Sequence, residues 1–210
     1  MLTVDSRLDL LYNKSMEKII LTDCDGVLLD WEWAFRVWMI EHGYQFKPEG
    51  KMEYQLHHHY RDTTKEDIKK LVRIFNESAA IGFLPALRDS TYYVKRLYEE
   101  HQYRFRVITS LSLDKNAAKL REMNLHKVFG DAIESVICLD TGADKDDALA
   151  PYRDTGMFWI EDKPENADVG DRLGLKSILI EHGHNMHHMC NYSLVKNWKE
   201  IYEIITNNKE

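Results

Sequence analysis

At 210 residues the chain has room for one mid-sized domain, or a core with a modest insertion, and two independent domains would be cramped. A net charge of -7 without a basic stripe argues against a nucleic-acid polymer as partner, and no apolar run reaches the roughly 18 residues of a membrane span. Cys24, Cys138 and Cys190 are too few and too scattered for a disulfide framework, and no basic-then-apolar leader opens the chain, so the expectation is a cytoplasmic protein, monomer or homodimer.

Apolar, β-branched runs of the kind buried on both faces of a sheet recur at residues 18–22, 105–109, 135–139, 157–160 and 177–180. Helix-like stretches separate them, which predicts right-handed βαβ units and a doubly wound parallel α/β sheet. The interval between the first two runs is long and carries three helical faces. They are Phe35, Trp38, Met39 and His42; then Ile68, Leu71, Val72 and Phe75; then Leu87, Val94, Leu97 and Tyr98, which lead back to the sheet. Residues 31–80 therefore read as a helical cap inserted after the first strand, with residues 1–30 and 81–210 as the core.

Open parallel sheets bind ligands at the carboxyl ends of their strands, so chemistry is sought there first. Asp23 and Asp25 flank Cys24 where the first strand ends, and Gly26 supplies the freedom for a sharp turn. Taken alone, Asp-Cys-Asp-Gly is equally the composition of a solvated turn. Thr109 and Ser110 close the second strand, and Glu161 and Asp162 close the fourth. Lys145 falls in the first turn of a helix, where a cation opposes the helix dipole unless an anion is near.

In this order the motifs resemble those of the haloacid dehalogenase superfamily. Asp23-Cys24-Asp25-Gly26-Val27 is similar to its first motif, Thr109-Ser110 to its second, Lys145 to its third, and Glu161-Asp162-Lys163-Pro164-Glu165-Asn166 to its acidic fourth. The resemblance implies a Rossmann-like core with a C1-type cap and a magnesium-dependent phosphomonoester hydrolase. Asp23 would be the nucleophile that becomes an aspartyl-phosphate, and Asp25 the general acid that turns general base. Thr109 or Ser110 would bond a phosphoryl oxygen, and Lys145 would neutralise charge so that a carboxylate can approach a dianion. Magnesium, which favours hard oxygen ligands, would take Asp23, the backbone carbonyl of Asp25 and Asp162, with Glu161 a further candidate and Asn166 or Glu165 auxiliary. Relatives that remove halide lack the second Asp, so Asp25 favours phosphoryl transfer.

The segments at residues 23–31 and 159–166 resemble, more narrowly, those of 5'(3')-deoxyribonucleotidases. That implies a small-molecule partner, a nucleoside monophosphate, whose base would stack on Trp31, Phe35 or Tyr54 among the aromatics of the cap. Two other readings stay open: a phosphatase or mutase of a sugar phosphate or other small metabolite, and a catalytically silent module that binds a phosphorylated ligand. His57-His58-His59 and His182, His184, His187 and His188 with Cys190 match no zinc spacing and read as polar loop histidines. Neither a P-loop, a Gly-x-Ser-x-Gly elbow nor a dinucleotide fingerprint is present.

Overall fold

The computed structural model describes residues 18–48 and 55–208. Six strands form one parallel sheet in the order β3-β2-β1-β4-β5-β6: β1 (Lys18–Thr22), β2 (Tyr103–Ser110), β3 (Ile133–Leu139), β4 (Phe158–Glu161), β5 (Lys176–Ile180) and β6 (Ser193–Val195). The chain winds outward from β1 through β2 to β3, then crosses back to place β4 on the other side of β1. This reversal puts the end of β1 at the switch point of the sheet, where crevices open. β6 was not foreseen, because three residues carry too little pattern to register as a strand.

The period of two along a strand sorts side chains between the two faces. Ile20, Phe105, Val107, Phe158 and Ile160 join one hydrophobic cluster, while Leu21, Ile108 and Trp159 join a second. Against the first face lie α3 (Ser90–His101), α4 (Lys115–Phe129) and α7 (Trp198–Asn207), through Val94, Leu97, Ala117, Leu125, Trp198 and Ile201. Against the second lie the short α5 (Asp146–Leu149) and α6 (Pro164–Arg172), through Leu149 and Val169. The doubly wound sheet is thus as expected.

Between β1 and α3 stand α1 (Trp31–Glu41), a 3-10 turn (Leu56–His59) and α2 (Lys65–Asn76). The side chain of Asp30 caps α1 by accepting from the Trp33 amide at 3.0 Å, and Thr64 with Asp67 forms a capping box on α2. Phe35, Met39, Tyr60, Ile68 and Phe75 belong to the same hydrophobic cluster as Ile20 and Val27. This insertion therefore has no core of its own and packs continuously onto the sheet side. Leu87, expected within the third helix, precedes its N-cap, Asp89. Among the described residues, no helix is long and apolar enough to cross a membrane.

Candidate active site

Asp23 is the first residue beyond β1. Its amide donates to the Ile160 carbonyl at 2.8 Å, extending the β1–β4 pairing, and its Oδ1 accepts from the Cys24 amide at 2.7 Å. The turn that follows is pinned from several elements: the Ser90 hydroxyl donates to the Leu28 carbonyl at 3.0 Å, and the Trp198 indole donates to the Val27 carbonyl at 2.8 Å. Gly26 turns the chain at φ +74°, beside the carboxylate of Asp162.

β4 delivers Glu161 and Asp162 next to Asp23. Glu161 is fully buried; its Oε2 accepts from Lys145 Nζ at 2.7 Å, and its Oε1 accepts from the amides of Asp162 and Lys163 at 3.1 and 3.0 Å. Lys145, which immediately precedes α5, also stands 2.8 Å from Asp23 Oδ1. The anion that a lysine at this helix start needs is therefore supplied by Glu161 and Asp23, across the sheet, rather than by the neighbouring Asp144, Asp146 and Asp147.

Asp23, Glu161 and Asp162 each offer an oxygen, and these oxygens lie within 4.8 Å of one another. One buried ammonium cannot neutralise three carboxylates in a poorly solvated site. Burial, with the Glu161 charge behind it, pushes Asp23 up to about 8, and burial with the Asp23 charge pushes Asp162 up to about 7. Burial works against the charge on Lys145, but Asp23 and Glu161 more than offset it and hold the ammonium above its usual range. The site carries an excess of negative charge and only oxygen donors.

Thr109, Ser110 and Asn166 line a small cavity of about 210 Å³ together with Asp23, Asp25, Lys145, Glu161 and Asp162. The structure thus brings these residues together, whereas Glu165, the other auxiliary candidate, is exposed and does not line the cavity. The Thr109 hydroxyl is buried without a hydrogen-bond partner, a vacancy suited to an incoming acceptor oxygen. Ser110 is already used: its hydroxyl donates to the Ala143 carbonyl at 2.7 Å and fixes the loop that leads to Lys145.

Residues 17–210 match the family described as 5' nucleotidase, deoxy (pyrimidine), cytosolic type C. The chain belongs to that family. It is a phosphatase of the haloacid dehalogenase superfamily. No curated protein matches the chain in sequence. Solved structures that share the fold include CbbY from Rhodobacter sphaeroides in complex with phosphate, at 17% identity and a TM-score of 0.56 over 89% of this chain and 96% of that one. A haloacid dehalogenase phosphatase from Thermococcus onnurineus aligns at 14% identity and a TM-score of 0.58, over 90% and 97% of the two chains. The L-2-haloacid dehalogenase of Xanthobacter autotrophicus aligns at 9% identity and 0.59, over 92% and 100%.

The phosphatase opens a larger cavity, of about 790 Å³, which shares Asp25, Gly142 and Asp162 with the small one. Trp31 lines it and donates from its indole to Asn76 Oδ1 at 2.9 Å. Phe35 requires a correction: it is fully buried, stacked on Trp31 at 4.8 Å and edge-on to Phe75 at 5.4 Å, so it backs the cavity wall and cannot touch a ligand. Tyr54 lies outside the described residues.

Both histidine clusters reach this same cavity, through His57, His59, His182 and His184. His182 donates from Nε2 to the Gly26 carbonyl at 2.7 Å, and burial holds its basicity below the usual range. Three residues on, the buried Asn185 accepts from the His182 amide at 2.8 Å and donates to the carbonyls of Asp162 at 2.7 Å and Ile180 at 2.8 Å. This loop is a brace between the ends of β1 and β4. Among the described residues, the carboxylate trio is the one grouping with three ligand atoms close together.

Sequence reasoning missed Asn185 and, more consequentially, Arg121. Arg121 sits in the middle of α4, fully buried, on the same stripe as the buried Ala117, Asn124 and Leu125. An arginine on an otherwise inward stripe was the available signal, because charged side chains are almost never fully buried without a partner. Its partner is Asp25.

Proposed function

We propose that this phosphatase hydrolyses nucleoside monophosphates through an aspartyl-phosphate on Asp23, with residues 31–80 acting as a cap over a core of residues 1–30 and 81–210. The observation that carries the reading is the buried Asp23 carboxylate, 2.8 Å from Lys145, sharing a cavity with the unpartnered Thr109 hydroxyl at the foot of a space of about 790 Å³. Spaces of this size accept a nucleotide or a sugar phosphate.

Magnesium fits the oxygen-only, overcharged trio. Both Glu161 oxygens are engaged by Lys145 and two amides, so Asp23 and Asp162, with the Asp25 carbonyl, would hold the ion. Bound there, it would draw negative charge from a phosphoryl group. Glu161 instead sets the position of Lys145.

In the first step a carboxylate oxygen of Asp23 bonds to phosphorus while the bond from phosphorus to the leaving oxygen breaks, and the proton of Asp25 passes to that oxygen. In the second, Asp25 takes a proton from water as the water oxygen bonds to phosphorus and the bond to Asp23 breaks. Lys145 screens the repulsion between Asp23 and the phosphate, and Thr109 donates to a phosphoryl oxygen. The family's description supports a cytosolic location.

A second reading, a sugar phosphate as substrate, is favoured by Arg36, Lys65, Lys69 and Arg88 on the larger cavity's wall. It also accords with a xylulose-1,5-bisphosphate complex of a CbbY mutant that shares the fold, at a TM-score of 0.52. Phosphate release from a panel of deoxynucleoside, ribonucleoside and sugar monophosphates tests both. The expected result is magnesium-dependent release that is fastest with nucleotides and lost in Asp23→Asn; an inactive panel, or an active Asp23→Asn, overturns the proposal.

A further inference from the structure

Lys145 holds Asp23 and Glu161 but not Asp25. The Asp25 side chain is 23% exposed, and it pairs instead with Arg121, whose own side chain is 0% exposed. Arg121 Nη1 donates to Asp25 Oδ1 and Nη2 donates to Oδ2 at 3.1 Å, so the guanidinium grips both oxygens. Nη1 also contacts the buried Cys24 Sγ. The Nε of Arg121 is buried with no partner.

A buried ion pair of this kind is a poor stabilising device, because two groups lose their hydration for one attraction, and here a third donor is left unanswered. Apolar packing on α4 would serve the fold as well. What the fork does supply is orientation: two parallel N–H bonds fix both the position and the plane of a carboxylate, which a single ammonium cannot do. A proton carrier needs that control, since its oxygen must meet the leaving oxygen at hydrogen-bond distance.

We infer that Arg121 is the positioning residue for Asp25, setting the direction from which the carboxyl meets the leaving group. The inference rests on the proposed role of Asp25 as acid and base. Arg121 itself touches neither substrate nor metal; it acts from the core, across the turn that holds Cys24.

The test compares kcat/KM, which stops at phosphoryl transfer to Asp23, for a nucleoside monophosphate and for p-nitrophenyl phosphate. The nucleoside is a poor leaving group that needs its proton; p-nitrophenolate leaves without one. Arg121→Lys should lose about a hundredfold on the nucleotide and less than about threefold on p-nitrophenyl phosphate, the bias of a lost general acid. Asp25→Asn should show the same bias, and the double variant should be no worse than Asp25→Asn alone. Equal losses on both substrates, or additive losses in the double variant, overturn the inference.

If Arg121→Lys does not fold, the wild-type protein decides, in a structure with magnesium and beryllofluoride on Asp23. Arg121 still bonded to Asp25 supports the assignment, and Arg121 turned away overturns it. A wild type that hydrolyses neither monophosphate sinks the proposed function instead, whereas an active wild type with unbiased Arg121 variants sinks this inference alone.

Discussion

A Cβ atom placed on Gly26 would lie 2.3 Å from Oδ2 of Asp162. The turn after β1 and the end of β4 approach so closely that only a residue without a side chain fits between them. Gly26→Ala must displace Asp162 and also hold a left-handed backbone, at a cost of about 1–2 kcal/mol. The expected outcome is a correspondingly lower unfolding free energy in denaturant titration, with phosphate release reduced to the level of Asp23→Asn. Gly26→Ala with wild-type turnover would show that Asp162 need not stand where it does.

Lys145 is the sole ammonium in contact with Asp23 and Glu161 among the described residues. Lys145→Met removes one partner of a buried pair, a change that costs about 3–5 kcal/mol. In chelator at pH 8 the variant should unfold at clearly lower urea than the wild type, and added magnesium should recover part of the difference. Activity should stay lost, because the metal does not replace the cation that screens the attack.

The carboxylate trio predicts a pH dependence of the metal-free protein. Asp162 is raised from 3.8 to about 7, so between those values the folded state keeps a proton that the unfolded chain releases. The contribution of Asp162 to stability therefore falls as pH rises through that window. Asp162→Asn should gain on wild type in chelator from about pH 4 to about pH 7 and level off above it. Thermal unfolding of both proteins across that range, with and without magnesium, checks the sign; a gap that narrows with rising pH contradicts it.

Trp31 and Phe35 are stacked on each other but face different media. Phe35→Ala should cost about 3–5 kcal/mol of stability and leave substrate preference intact. Trp31→Ala should raise KM for nucleotides by roughly tenfold, the scale of a lost base stack. KM against the substrate panel, set beside urea midpoints, separates the two effects.

Most of the motifs were legible because their residues sit at the carboxyl ends of strands, and strands announce themselves by buried runs. Asp23, Thr109 and Asp162 could be read in this way without any knowledge of distance. Arg121 could not, since its bond to Asp25 spans 96 residues and its helix position gives no hint of what lies opposite. Phe35 failed for a related reason: a helical face tells which residues are inward together, not whether inward means core or cavity. The helices between β1 and β2 were legible from the length of that interval, yet their apolar residues share one cluster with the sheet, a property no periodicity encodes.

The pairing of Leu21 with Trp159 and Thr22 with Ile160 closes the sheet across the chain's reversal. During synthesis, Asp23 emerges long before Glu161 and Asp162, and it meets them only when β4 docks beside β1. The pairing that joins the two halves of the sheet is thus also the one that forces like charges together. If the carboxylate trio holds a divalent cation, that ion binds on both sides of the β1–β4 seam, so its binding and the docking of β4 beside β1 favour each other.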